Sequence, residues 1–133
     1  MKLPSIENDF WDIQYPSIDP NDKELMINRE KLIRGDAVKL SFKLIPNERH
    51  MDIHLFMESM WLVITEKFKD DLFIGILTNS PVHTQRSKTD YLKKGAEIPF
   101  HKDYVLDIQL APSPEEAEAY ISTQPVTAVW PRH

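Results

Sequence analysis

The chain has 133 residues, 41% of them apolar and 28% charged, with a formal net charge of −5 and no cysteine. That is enough chain for one domain with its own core. It excludes disulfides, thiolate catalysis and cysteine-based zinc sites, and the acidic balance disfavours general nucleic-acid binding, which needs a basic surface to neutralise phosphates.

Pro4, Pro16 and Pro20 interrupt the first stretch, with Phe10, Trp11, Ile13 and Tyr15 between them. Proline opposes a long helix. The expected form is an extended arm whose rings dock on the domain, with an aromatic binding strip as the alternative. No apolar run of signal-peptide length occurs there, and no segment reaches the roughly 18 apolar residues of a membrane span. A cytoplasmic protein without membrane partners is the expectation. Asp22 to Ile33 reads as a short helix capped by Asp19 or Asn21 and ended by a left-handed Gly35; an irregular segment is the alternative.

From Ala37 the period changes. Val38, Leu40, Phe42 and Leu44 alternate with Lys39, Ser41 and Lys43, the pattern of a strand with one buried face. Leu55 to Lys67 reads as a second strand whose centre, Met60 to Ile64, is apolar on both faces. Trp61 and Val63 belong to one face, Leu62 and Ile64 to the other. Lys69-Asp70-Asp71 supplies a turn, and Leu72 to Leu77 returns antiparallel. Gly75 in that strand marks a bulge or a bend, the device that curls a short sheet towards a barrel.

Thr84 to Asp90 is polar and reads as an exposed loop. Gly95 precedes a short strand, Glu97 to Phe100. His101-Lys102-Asp103 then turns into a strand from Tyr104 to Leu110. Ser113 followed by Pro114, Glu115, Glu116 and Glu118 is a helix start, and Pro125 is expected to end that helix. The tail carries Val129 and Trp130, which are expected to fold back. The fold class is therefore α+β, mainly β: a strongly bent antiparallel sheet or small open barrel of about five strands with one or two short helices. One domain spans 1–133, with an N-terminal arm and short helix (1–31), a β core (32–110) and a C-terminal helix and tail (111–133).

Few residue patterns suggest catalysis. His50 and His54 have the i, i+4 spacing of a helical zinc pair, but Met51 stands where a water-activating Glu would follow. His101 and Asp103, with Asp107 nearby, form the strongest acid–base candidate. The three glycines, at 35, 75 and 95, are too far apart for a phosphate-cradling loop. No catalytic residue, metal site or cofactor is assigned. A nucleic-acid reading would use Phe73, Phe100 and Tyr104 as stacking rings beside Lys93, Lys94 and Lys102.

Four segments in order carry a resemblance: Gly35-Asp36-Ala37-Val38-Lys39-Leu40, Met60-Trp61-Leu62-Val63-Ile64-Thr65, Gly75-Ile76-Leu77-Thr78-Asn79-Ser80-Pro81 and Leu92-Lys93-Lys94-Gly95-Ala96-Glu97-Ile98-Pro99-Phe100. Over about residues 32–108 the chain resembles small bacterial proteins similar to the domain-of-unknown-function 2314 family. It departs from that pattern at Ala96, where an acid is usual, and in the length of the Val82–Asp90 loop. The resemblance implies a compact β-rich fold and no catalytic residue. It points to an accessory or immunity-type protein.

Three functions are weighed. The favoured one is a non-enzymatic protein-interaction module with a protein partner, basic and toxin-like. Its candidate surface is Glu115, Glu116 and Glu118 with the loop residues Thr84, Gln85 and Arg86, because loops on a rigid sheet commonly carry binding residues. The second is a small-ligand or nucleic-acid-binding β domain, and the third a hydrolase built on His101.

Overall fold

The computed structural model describes residues 1–46, 55–82 and 87–133. In chain order the elements are α1 (Ile6–Asp9), β1 (Trp11–Ile13), α2 (Lys23–Glu30), β2 (Ala37–Leu44), β3 (Phe56–Lys67), β4 (Leu72–Leu77), β5 (Glu97–His101), β6 (Asp107–Gln109) and α3 (Pro114–Ser122). The strands form one antiparallel sheet in the order β1-β2-β3-β4-β5, with β6 also paired to β2. One edge of β2 is thus divided. β1 pairs with Phe42–Leu44 and β6 with Ala37–Lys39. The result is the expected α+β, mainly β architecture, a nearly closed barrel-like sheet with short helices.

The interior follows from period-two alternation. Val38, Leu40, Phe42 and Leu44 from β2 meet Met60, Leu62 and Ile64 from β3, and all are buried in one core. Trp61 and Val63 point to the other face, as expected. Val63 is buried between its register partners Ala37 and Ile76, whereas Trp61 is only partly covered.

Gly75 explains the bend. The β3–β4 register slips between Ile64 and Glu66, so the extra residue is Thr65, on the strand opposite Gly75. A Cβ at Gly75 would lie 2.8 Å from Leu62 Cδ1 and 2.9 Å from the Val63 carbonyl oxygen. The hairpin tip turns through Asp70 and Asp71 at φ 62° and 61°, a left-handed conformation that Asp tolerates better than most residues. At the other end, the Thr78 N–H and hydroxyl both donate to the Trp61 carbonyl, and the Trp61 N–H donates to the Asn79 side chain. The Thr-Asn pair thereby continues the ladder past the strand end.

Several sequence expectations are corrected. The arm is not merely extended: it holds α1, then a left-handed Phe10, then β1, which is part of the sheet. Asp22, rather than Asp19 or Asn21, caps α2 by accepting from the Leu25 N–H. That helix stops at Glu30, so Gly35, at φ +99°, serves the turn into β2 instead. The strand expected over Tyr104 to Leu110 shrinks to β6, because a 3-10 turn takes Lys102–Tyr104. α3 ends at Ser122, before Pro125 is reached. Ser87 and Thr89, expected in an exposed loop, are buried, and Lys88 donates its N–H to the Ile45 carbonyl.

One end of the core is closed by rings. Trp11 stacks on Tyr91 at 5.8 Å, and the edge of Trp130 meets both at 5.6 and 5.4 Å. Trp130 arrives there because its tail runs parallel beside Ala96. The Glu97 carboxylate accepts from the Trp130 N–H at 2.9 Å and from two nitrogens of Arg132. The Tyr91 hydroxyl donates to the Glu97 carbonyl, and burial pushes its pKa well above the ordinary phenolic value. Arg132 hydrogen bonding holds Glu97 below the usual carboxylate range against the opposing effect of burial. A second buried charge, Arg29, ties α2 to the 3-10 turn by donating to the Val105 and Asp103 carbonyls. Its burial lowers its pKa.

The two tryptophans at positions 11 and 61 should therefore respond differently to truncation. Trp11→Ala is expected to cost about 3–5 kcal/mol and Trp61→Ala clearly less; equal losses in urea titrations would contradict the assignment of faces. Glu97→Gln is expected to cost about 1.5–3 kcal/mol at pH 7. Because the folded pKa of Glu97 is depressed, its contribution is present above the ordinary value of 4.5 and is lost as pH falls through the lower folded value. The gap between variant and wild type should accordingly narrow between pH 5 and pH 3; a pH-independent gap would remove the ionic contribution.

Candidate functional site

The helix α3 begins as the sequence requires. Ser113 accepts from the Glu116 N–H at 3.1 Å, and Pro114 occupies the first helical position. Its small residue Ala117 is buried. That contact depends on Gly35, where a Cβ would lie 2.4 Å from the Ala117 Cβ. Two further ties fix the helix. The buried Asp36 carboxylate accepts from the Ile33 N–H and from the Ala111 N–H, both at 3.0 Å. Arg34 donates through two nitrogens to Glu118, at 2.7 and 3.0 Å, and through a third to the Thr65 carbonyl at the bulge.

These contacts hold α3 against the barrel along one line and leave a groove on each side. The larger, of about 310 Å³, lies between α3 and β6 and is lined by Ala37, Gln109, Leu110, Pro112, Glu116 and Tyr120. The smaller, of about 170 Å³, lies beside Ile33 and Arg34. Ile33, Leu110 and Tyr120 are 57%, 48% and 47% exposed, so the apolar lining continues onto the open surface.

The acids proposed from the sequence separate into two kinds. Glu118 is paired, and the Arg34 hydrogen bonds hold its pKa below the usual carboxylate range. Glu115 and Glu116 are exposed and make no ion pair among the described residues. Thr84, Gln85 and Arg86 lie outside the described residues, as do His50, His54 and His83.

The alternative sites fare differently. Phe73 and Phe100 are buried and stacked on each other at 5.4 Å, so neither presents a face to a base. Tyr104 packs edge-on to Tyr15. Lys102 is paired with Glu30 and Asp71. Lys93 and Lys94 remain exposed but have lost their ring partners. His101 Nδ1 accepts from the Asp103 N–H at 3.1 Å, with the Asp103 carboxylate 3.5 Å away. The imidazole thus closes the turn rather than forming a carboxylate–histidine relay, and Asp107 accepts from its own neighbour Ile108. Among the described residues, no group of three or more His, Asp or Glu is placed to hold a metal ion, and no helix is long and apolar enough to cross a membrane.

No protein-family model, curated protein or solved structure matches this chain.

The sequence pointed to α3 through its charge but missed the grooves beside it. Their signal was the pairing of Gly35 with Ala117, two small residues far apart in sequence. Gly35→Ala should force α3 outward, costing about 1–3 kcal/mol, with added strain at φ +99°. Hydrogen exchange across 114–122 should accelerate in that variant; unchanged protection would show that α3 does not depend on this contact.

Proposed function

We propose that this protein is a non-enzymatic interaction module that binds a basic partner protein through α3 and the groove between α3 and β6. The observation that carries the reading is the combination of two acids that make no ion pair among the described residues, Glu115 and Glu116, with an adjoining apolar groove. Apolar grooves rimmed by polar groups are the usual anatomy of protein contact sites. The fitting segment has an apolar anchor, for the space between Leu110 and Tyr120, flanked by Lys or Arg.

The helix is suited to this because it is fixed before binding. Asp36, Arg34 and Gly35 hold it in place, so little ordering cost falls on association. The acids contribute mainly to the encounter rate, since exposed charges steer a partner without stabilising the complex greatly. The chain's net charge of −5 acts in the same direction. The resemblance of residues 32–108 to small bacterial proteins supports a particular setting: an immunity-type or accessory protein of the bacterial cytoplasm, with a basic toxin-like protein as partner.

The test uses affinity capture from the native host with wild-type bait and with Glu115→Lys/Glu116→Lys bait, followed by kinetics on the purified partner. The expected partner is basic at the contact. The double reversal should slow association about tenfold at low salt and flatten its salt dependence, leaving the thermal midpoint nearly unchanged. Leu110→Ser/Tyr120→Ala should instead speed dissociation. A partner bound equally by all three proteins would overturn the assignment of this face.

A further inference from the structure

The turn that follows β5 is closed by a titratable group. His101 ends the strand, and the 3-10 turn Lys102–Tyr104 begins directly after it. The imidazole occupies the capping position of that turn and accepts the Asp103 N–H through Nδ1 at 3.1 Å. Caps of this kind are ordinarily Asp, Asn, Ser or Thr, whose oxygens accept throughout the neutral range. An imidazole nitrogen accepts only while it carries no proton. The closed turn therefore requires a neutral ring with its proton on Nε2.

The same nitrogen has a second neighbour. Asp103 Oδ2 lies 3.5 Å from Nδ1, too far for a good hydrogen bond but close enough to receive one after a small ring rotation. A proton on Nδ1 would set one donor against another, the Asp103 N–H. The ring is 28% exposed, so solvent protons reach it. The other charged groups around the turn are already engaged. Lys102 pairs with Glu30 of α2 and with Asp71 before β4. Arg29 of α2 donates to the Asp103 and Val105 carbonyls. Asp12 of β1 has Lys43 at 4.0 Å, and Tyr104 packs on Tyr15. β4 places Leu72 opposite His101, and Leu3 and Pro4 approach from the N-terminal segment; none of these three titrates. Among the described residues, the ion pair of the Asp103 carboxylate is with His101 itself.

We propose that His101 is a pH-sensitive latch on this turn. With the ring neutral, Nδ1 holds the Asp103 N–H. With the ring protonated, Nδ1–H bonds the Asp103 carboxylate and the N–H is released. One bond replaces another, so the fold persists while the turn changes. Imidazoles change charge between about pH 5 and 8, where ordinary carboxylates stay ionised, so both partners carry the required charge. The change reaches an opening in the sheet. β1 and β5 are its two ends and do not pair. Between them lies a cavity of about 140 Å³, covered in part by Leu3 and Pro4, with His101 and Tyr104 in its lining. Rotation of the ring and release of the turn alter that lining. The latch does not involve α3 and stands apart from the contact face there.

The test is NMR on the whole chain from about pH 8 to about pH 5.5. The Asp103 amide shift should follow the imidazole ¹⁵N titration of His101. Its hydrogen exchange, corrected for the intrinsic pH dependence, should become about tenfold faster once the ring is protonated, as expected for loss of one hydrogen bond. The Ile98 amide, inside β5, should keep its protection. In His101→Asn the carboxamide oxygen accepts at every pH, so Asp103 protection should be flat. Asp103→Asn keeps the N–H but removes the replacement bond, so its thermal midpoint should fall further on acidification than that of the wild type. Unchanged Asp103 protection across the His101 titration of the wild type would overturn the proposal, as would the wild-type loss of protection persisting in His101→Asn. An equal fall of the midpoint in Asp103→Asn would overturn the role of the carboxylate.

Discussion

The Glu97 carboxylate joins three separate parts of the chain. It sits at the start of β5, receives the backbone of Trp130 and both arms of the Arg132 guanidinium, and thereby places the Trp130 ring against Trp11 and Tyr91. Arg132 also reaches Glu66 at 2.8 Å, on β3 beyond the bulge. A buried carboxylate costs several kcal/mol to desolvate unless it is paired and hydrogen-bonded. Here the backbone N–H and the two-pronged arginine meet that demand, so the carboxylate can orient the tail. The packing of the rings depends on that orientation. Without the tail, Trp11 would lose the edge of Trp130, and β1 would be left on the sheet by its few ladder contacts and its remaining ring neighbours.

Closing one end in this way leaves the barrel's remaining geometry to the strand edges. β2 is the longest-shared strand: β3 covers one edge, while β1 and β6 divide the other. β1 is only three residues long and does not pair with β5, so the sheet stays open between them. The tail covers β5 near Glu97, and residues 3–4 cover the stretch near Pro99. The cavity is what lies between those two covers.

The strands were legible in the sequence because their signal is local. Alternation over Val38 to Leu44 and the charged turn at Lys69–Asp71 need no distant partner to be recognised. α3 was legible for the same reason, through Ser113 and Pro114. What escaped were features made by residues far apart. Glu97 lies inside the run Ala96-Glu97-Ile98-Pro99-Phe100, where an acid in a buried strand calls for a cation, yet nothing local names Arg132 as that cation. Asp36 and Arg29 likewise have partners more than 70 positions away. The nucleic-acid alternative needed Phe73 and Phe100 on the surface, whereas the sheet turns both inward and stacks them on each other.

Charge pairing finally decides which acids can act. Arg34 engages Glu118, Lys102 engages Glu30 and Asp71, and Arg132 engages Glu66 and Glu97. Each pair spans elements distant in sequence, so these cations serve to fasten the fold and their acids are screened from a partner at close range. A negative net charge alone would have suggested a diffuse field. The pairing instead makes it uneven: at the start of α3, two acids within one helical turn make no ion pair among the described residues, beside apolar surface that the same helix fails to cover. There the uncovered apolar surface and the unbalanced charge coincide, and that coincidence is what supports the proposal of a contact face at α3.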